Sequence, residues 1–220
     1  SSRLNFTKKG ILSHILQESK GKHSKVVVIP IASDIPDEVG QNYLDAFGKL
    51  GCTEISVVKI TRRSQSDKKE ILQLIEQADC IMFSGGNQSR ISHKIKDTEF
   101  HQILMQRFRD EPIVIAGTSA GAMAMAEEMI AGGSSSEALQ KGAVIMKKGL
   151  GFFPEIIIDT HFVRRGRFGR LAEALAHRRR RSGNLEAARS RQAHSADARR
   201  VAEERGRRDA VRAAGVPGAA

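Results

Sequence analysis

Apolar and polar positions alternate along this chain in two distinct periods. KVVVIPIAS, starting at Lys25, is a continuous β-branched run, the pattern of a parallel strand buried on both faces. DEVGQNYLDAFGKLG then switches to helical spacing, with Tyr43, Leu44, Phe47 and Leu50 on one side and Gly51 as the stop. The switch repeats. EISVVKI predicts a strand, KKEILQLIEQA a helix, DCIMFSGG a strand, and SRISHKIKDTEFHQILMQRFRDE a helix broken near Asp97. PIVIAG predicts a fourth strand, and a small-residue helix follows from Ser119. Upstream, GILSHILQES pairs Ile11 with Ile15 and Leu12 with Leu16 at i, i+4, a short helix. Downstream, AVIMKKGLGFF and PEIIIDTHF read as strands or strand plus loop.

Strand and helix alternate to about residue 130, which predicts an α/β domain with a mostly parallel sheet flanked by helices. Ligands of such sheets collect beyond the C-terminal ends of the strands. Three segments end strands there: SGGNQ, GTSAG and DTHF.

Composition changes the picture late in the chain. There is no Lys after Lys148, no Ile after Ile158 and no aromatic residue after Phe168. From about His177 the sequence is rich in Arg and Ala. It suits a polar helix or an unstructured tail and supplies no strand. Residues 171–220 hold 12 Arg against 6 Asp and Glu, about half of the net charge of +11. The basicity therefore says little about the main domain. A nucleic-acid role is expected, if anywhere, only in the tail, which lacks interleaved aromatics for base stacking. Two cysteines, Cys52 and Cys80, are too few for a disulfide framework and read as buried thiols. No apolar run of about 18 residues or more occurs. The start has no signal-peptide core, so no membrane partner is expected and the cytoplasm is the expected location. No metal-ligand spacing and no Walker or dinucleotide glycine pattern is present, so neither a metal nor a cofactor is expected.

The chemistry centres on Ser119. In GTSAG it sits between Gly117 and Gly121, where a strand turns into a helix. Such an elbow lifts a serine Oγ above the sheet and aims free helix N–H groups at the same place, the Ala120 N–H first. The alternative is a plain tight turn or an anion-binding helix start. A serine nucleophile needs a base. His161, after the apolar run IIID, sits at a predicted strand end level with Ser119; a structural loop histidine is the competing reading. Gly85 and Gly86 form a turn whose N–H groups can complete an oxyanion hole, with Gln88 and Arg90 at its border, or can be structural. Arg164, Arg165, Arg167 and Arg170 follow His161 closely. They suggest a carboxylate-rich ligand, against the ordinary reading of a solvated basic helix start.

IPIAS, DEVGQNYLDAFGKLG, IMFSGGNQSRI, AGTSAGAMAMAEEMI and GLGFFPEIIIDTHFVRRGRFGRL, in this order, resemble the cyanophycinases. These are serine peptidases related to aspartyl dipeptidases. The resemblance runs from about Lys25 to Leu175. It implies a class I glutamine amidotransferase-like three-layer sandwich, usually a homodimer. The implied reaction is hydrolysis of cyanophycin, a polyaspartate carrying arginine on each β-carboxyl, to β-aspartyl-arginine dipeptides. Aspartyl dipeptidase activity on short Asp-X peptides is the near alternative, and a catalytically impaired homologue with a polyanion-binding tail the far one. Carried over, Ser119 is the nucleophile, His161 its base, and Gly86 and Ala120 the oxyanion donors. Gln88, Asp159, Arg165 and Arg170 match substrate-pocket positions, with Arg167 among them. The domain is expected over 1–176, without the family's first strand, and the tail over 177–220. Four departures stand out. Asn87 replaces an Asp, Thr160 replaces a Gln, the Gly-rich opening is absent, and the acid that orients the histidine has no counterpart. Glu173 and Glu186 are nearby acids that match no motif. The tail begins with the abruptness of a shifted reading frame or a fusion.

Overall fold

Why the VVVI run is apolar at every position is visible in its surroundings. The computed structural model describes residues 10–133 and 144–181. They belong to two units, Ser1–Ala174 and Leu175–Ala220. The described part of the second, residues 175–181, is helical. The expectation for the tail falls, past 181, outside the described residues. The sheet and the loops above it lie in the first unit.

Its sheet has four parallel strands, β1 (Val26–Ile29), β2 (Ile55–Val57), β3 (Cys80–Phe83) and β4 (Val114–Gly117), in the order β2-β1-β3-β4. The register places Val28 beside Met82 and Met82 beside Ala116. The central strands β1 and β3 are buried at every residue. Their side chains alternate between two cores, as the two-residue period of a strand requires. Val27, Ile29, Ile81 and Phe83 pack with Ile75, Ile91, Ile95, Phe100 and Leu104. These come from α3 (Lys69–Gln77), α4 (Gln88–Ile95) and α5 (Glu99–Asp110). Val26, Val28, Cys80 and Met82 pack instead with Leu12, Leu16, Tyr43 and Phe47, from α1 (Ile11–Glu18) and α2 (Pro36–Lys49). The result is the expected three layers. Each fully buried side chain of the size of Phe47 contributes about 1.5–3 kcal/mol. Cys52 and Cys80 are free and buried, and burial pushes the Cys80 thiol up to about 12.

Local signals set the element ends. Asn87 caps α4 by accepting the Ser89 N–H at 2.9 Å, and Thr98 caps α5 by accepting the His101 N–H at 3.3 Å. Between them Asp97 adopts φ +59°, which breaks the helix where expected.

One expectation holds and one fails after residue 119. The small-residue helix is a single turn, α6 (Ala120–Met123). The chain then forms β5 (Glu128–Gly132), antiparallel to β6 (Ile145–Lys148) in a separate two-stranded sheet. Met129 and Ile130 are both fully buried and pack into different clusters, the alternation of an extended chain. The expectation that fails is the strand in PEIIIDTHF, which forms none. The preceding segment already uses the available backbone: Gly149, Leu150 and Phe152 donate to the carbonyls of Glu127, Ala124 and Met125. Ile157 and Ile158 pack against Met123, Ile130 and Ala174 instead. The apolar run reflects packing without a ladder.

Candidate active site

The loops after β1, β3 and β4 meet at one point. A Cβ on Gly86 would lie 2.1 Å from the Ala32 carbonyl oxygen, and Gly86 has φ +138°, so only glycine fits there. A Cβ on Gly85 would lie 3.7 Å from the Ser119 Cβ, so the β3 loop flanks the β4 turn. In that turn Ser119 adopts φ +51°, ψ −105°, a conformation a side chain takes only when its surroundings force it, at a cost of about 1–3 kcal/mol. The forcing groups are identifiable. The Thr118 N–H donates to the Phe83 carbonyl at 3.0 Å, Gly121 N–H to Thr118 at 2.9 Å, and Met123 N–H to Ser119 at 3.0 Å. The Thr118 and Tyr43 hydroxyls are 2.7 Å apart. Burial raises the Tyr43 pKa, opposed by that hydrogen bond. Gly117 and Gly121 are spaced so closely to neighbours that a Cβ would come within 2.4 Å of the Gly121 carbonyl carbon and 2.5 Å of the Phe83 oxygen.

Ser119 Oγ lies 2.9 Å from His161 Nε2, within hydrogen-bond reach for proton transfer, and 3.3 Å from the Thr160 hydroxyl. His161 is exposed and adopts φ +56°. It does not stand at a strand end, as expected, but at the start of a series of turns over 161–167. Among the described residues no carboxylate hydrogen-bonds its ring. Glu186 lies outside the described residues, and Glu173 sits in the helix that begins at 168.

Asp159, two residues before His161, has a fully buried carboxylate. It receives the Thr160 N–H at 2.9 Å, Arg167 Nη1 at 3.2 Å, and Arg170 through Nε at 3.1 Å and more closely through Nη2. Arg167 Nη1 also donates to the Thr160 carbonyl at 2.5 Å. Burial, then repulsion from Arg170, lowers the Arg167 pKa, and Asp159 opposes both. The arginine run therefore divides. Arg167 and Arg170 are buried, whereas Arg164 and Arg165 are exposed. Gln88, the first residue of α4, donates its side-chain amide to the Ile130 carbonyl at 2.7 Å. Ala120 begins α6, so its N–H precedes the intrahelical ladder. Arg90 is held by Asp34 and the Ser33 carbonyl. The sequence assigned Thr160 and Tyr43 no role in the site. Thr160 stood only as a departure from the Gln usual before the histidine, and Tyr43 read as one apolar position of a helix. Among the described residues no group of His, Cys, Asp and Glu could hold a metal ion, and no helix is long and apolar enough to cross a membrane.

A serine on a strained strand-to-helix turn, in contact with a histidine above a parallel sheet, defines the class of α/β proteins with a hydrolase-type site. The chain belongs to peptidase family S51, whose model matches residues 2–189. It is 35% identical over 175 residues to the cyanophycinase of Geminocystis herdmanii, covering 80% of this chain and 64% of that protein. It is 37% identical over 151 residues to the cyanophycinase of Trichormus variabilis, covering 69% of this chain and 51% of that one. The chain thus spans less than two thirds of the length of either. The fold is similar to the crystal structure of a peptidase from an acI-B1 Actinobacterium, with a TM-score of 0.55 at 18% identity over 74% of this chain and 66% of that one.

Proposed function

We propose that this chain is a serine peptidase that hydrolyses cyanophycin to β-aspartyl-arginine dipeptides. The single observation that carries the reading is the 2.9 Å contact between Ser119 Oγ and His161 Nε2 at the strained elbow. Ser119 Oγ attacks the scissile carbonyl carbon as His161 Nε2 takes its proton. The negative charge that develops on the carbonyl oxygen is met by the Ala120 and Gly86 N–H groups. The tetrahedral species collapses to an ester on Ser119, and His161 returns the proton to the leaving amine. Water, deprotonated by the same histidine, then cleaves the ester and restores the serine.

The substrate assignment is supported by the two cyanophycinase relatives and by the exposed Arg165, which is free of the Asp159 cluster and available to a substrate carboxylate. Gln88 borders the cleft with its amide anchored on β5. A slow enzyme is the second reading, favoured by one observation: Asp159, the acid nearest to His161 in sequence, is engaged by two arginines. Loss of the orienting acid from a serine triad costs about 10⁴-fold in turnover.

The test is incubation of the chain and of Ser119→Ala with cyanophycin, with released dipeptides identified by mass. Release by the chain and none by the variant is expected. Equal release by both overturns the serine mechanism. Cleavage of short Asp-X peptides without action on the polymer transfers the reading to an aspartyl dipeptidase.

A further inference from the structure

We infer that the buried cluster of Asp159, Arg167 and Arg170 positions His161, acting through the backbone of Thr160 rather than on substrate. The inference rests on the reading of Ser119 and His161 as nucleophile and base.

The geometry is that of a clamp. The Asp159 carboxylate accepts the Thr160 N–H, and Arg167 Nη1 donates to the Thr160 carbonyl. Both backbone polar groups of Thr160 are thereby held. The Thr160 carbonyl and the His161 nitrogen share one peptide plane, so fixing that carbonyl fixes the plane from which the histidine departs. His161 then turns through φ +56°, a conformation that needs external support. No strand provides it, since residues 154–160 carry no ladder. Nor, among the described residues, does a carboxylate on the imidazole, the usual means of orienting a triad histidine. The cluster provides it instead. Asp159 and Arg167 flank the turns that carry His161, and their ion pair closes that loop at its base. Arg170, one helical turn beyond Arg167, reaches the same carboxylate. The clamp also brings the Thr160 hydroxyl to 3.3 Å from Ser119 Oγ.

Burial separates this role from ligand binding. Only 11% of the Arg167 side chain and 6% of the Arg170 side chain are exposed, and the Asp159 side chain is not exposed at all. The hydrogen bonds of both guanidinium groups run inward, to Asp159 and the Thr160 carbonyl. Both bonds leave one nitrogen of the planar Arg167 guanidinium, Nη1, whose two N–H groups join a carboxylate and a carbonyl at once. A lysine ammonium would keep the charge but lose the fixed geometry.

The experiment uses the full chain and its Arg167→Lys and Arg167→Met variants, with three readouts. These are kcat and KM on cyanophycin, the rate of Ser119 labelling by a fluorophosphonate, and the ¹⁵N shift of His161 Nε2, which reports its hydrogen bond to serine. A displacement of about 1 Å at the base costs on the order of 10²-fold in rate. Arg167→Met is therefore expected to lower kcat and the labelling rate together by roughly that factor, with KM nearly unchanged and the Nε2 shift moved. Arg167→Lys is expected to fall between it and the parent. If Arg167→Met does not fold, Arg167→Lys against the parent carries the same comparison. A raised KM with kcat, labelling and the Nε2 shift retained overturns the inference and makes Arg167 a substrate contact. Should Ser119 in the parent resist labelling, the peptidase reading fails separately. The Nε2 shift then decides the clamp alone: moved in the variants, it stands; unmoved, it falls.

Discussion

Serine and histidine reach the same point by different physical means. Ser119 is carried by regular structure. Its turn continues β4, is hydrogen-bonded to β3 through Thr118 and Phe83, and is braced by α2 through Tyr43. His161 is carried by a segment with no ladder, tied down by one buried ion cluster. Strain on the serine side is spread over many weak contacts, and strain on the histidine side rests on a few strong ones. A site built this way tolerates small losses at the elbow and responds sharply to small losses in the histidine loop.

The largest expected effects remove the reacting groups themselves. Ser119→Ala and His161→Ala are each expected to lower kcat on cyanophycin by about 10⁴-fold or more. Their stabilities should differ little from the parent, because His161 is exposed and Ser119 loses only an oxygen. Ser119→Gly sharpens the point. It removes the same oxygen and also relieves the positive φ, so it is expected to unfold in urea about 1 kcal/mol later than Ser119→Ala. Equal stability of the two variants would mean that the turn stores no strain.

Next comes the close packing beneath the elbow. Gly117→Ala places a methyl within 2.4 Å of backbone in α6, where no flexible side chain can yield. The expected cost is about 3 kcal/mol in denaturant unfolding, with turnover reduced in whatever still folds. A neutral result would show that α6 moves freely, and the serine side would no longer count as rigid.

The pattern of the chain predicted one of these two regions far better than the other. β1 and β3 were legible because apolar residues fill both faces, and the elbow because Gly117, Ser119, Ala120 and Gly121 are small where a strand must meet a helix. These are local signals. The histidine side depends on distant ones. Ile156–Ile158 read as a strand because they are β-branched, yet a strand also needs a partner with an unused edge, and no local pattern reports that. Arg167 and Arg170 read as solvated or ligand-facing, as most charge runs are. Their partner Asp159 lies on the far side of the loop, beside Ile157 and Ile158, which pack on Met123, Ile130 and Ala174, and the two arginines themselves close over its carboxylate. Thr160 came close to the serine through the same nonlocal closure.

A smaller effect probes the segment that leads into the histidine loop. His101 of α5 is buried, accepts the Asp97 N–H on Nδ1 at 3.2 Å and lies 2.7 Å from the Leu150 carbonyl through Nε2. That pairing places the proton on Nε2 and requires a neutral ring. Burial foremost lowers its pKa; the Leu150 carbonyl opposes this, Lys96 adds to it and Asp97 opposes it. A histidine with a depressed folded pKa contributes its stability fully above the unfolded value of about 6.5. That stability is lost as pH falls from there toward the lower folded value, because the unfolded chain binds the proton first. Between about pH 7.5 and pH 5 the parent is expected to lose more stability than His101→Gln, which does not titrate. The comparison is made by urea unfolding of both proteins at each pH. Parallel losses would show that this contact does not tie the 149–153 segment to α5.

The smallest expected effect separates the two regions most directly. Tyr43→Phe removes one partner of the 2.7 Å hydroxyl pair and leaves the Thr118 Oγ1 without it. The stability cost is about 1 kcal/mol, the ordinary net worth of one hydrogen bond. Thr118→Val should cost a similar amount, and the double variant less than the sum of the two, since each single change already breaks the pair. Turnover should change less than threefold in all three, because the Phe83, Thr118 and Met123 backbone bonds still hold the elbow. Arg167→Lys, which also removes part of one contact, is expected to change turnover far more. If Tyr43→Phe lowered kcat as much as Arg167→Lys does, the serine would depend on a single support as the histidine does, and the contrast between a distributed and a concentrated scaffold would fall.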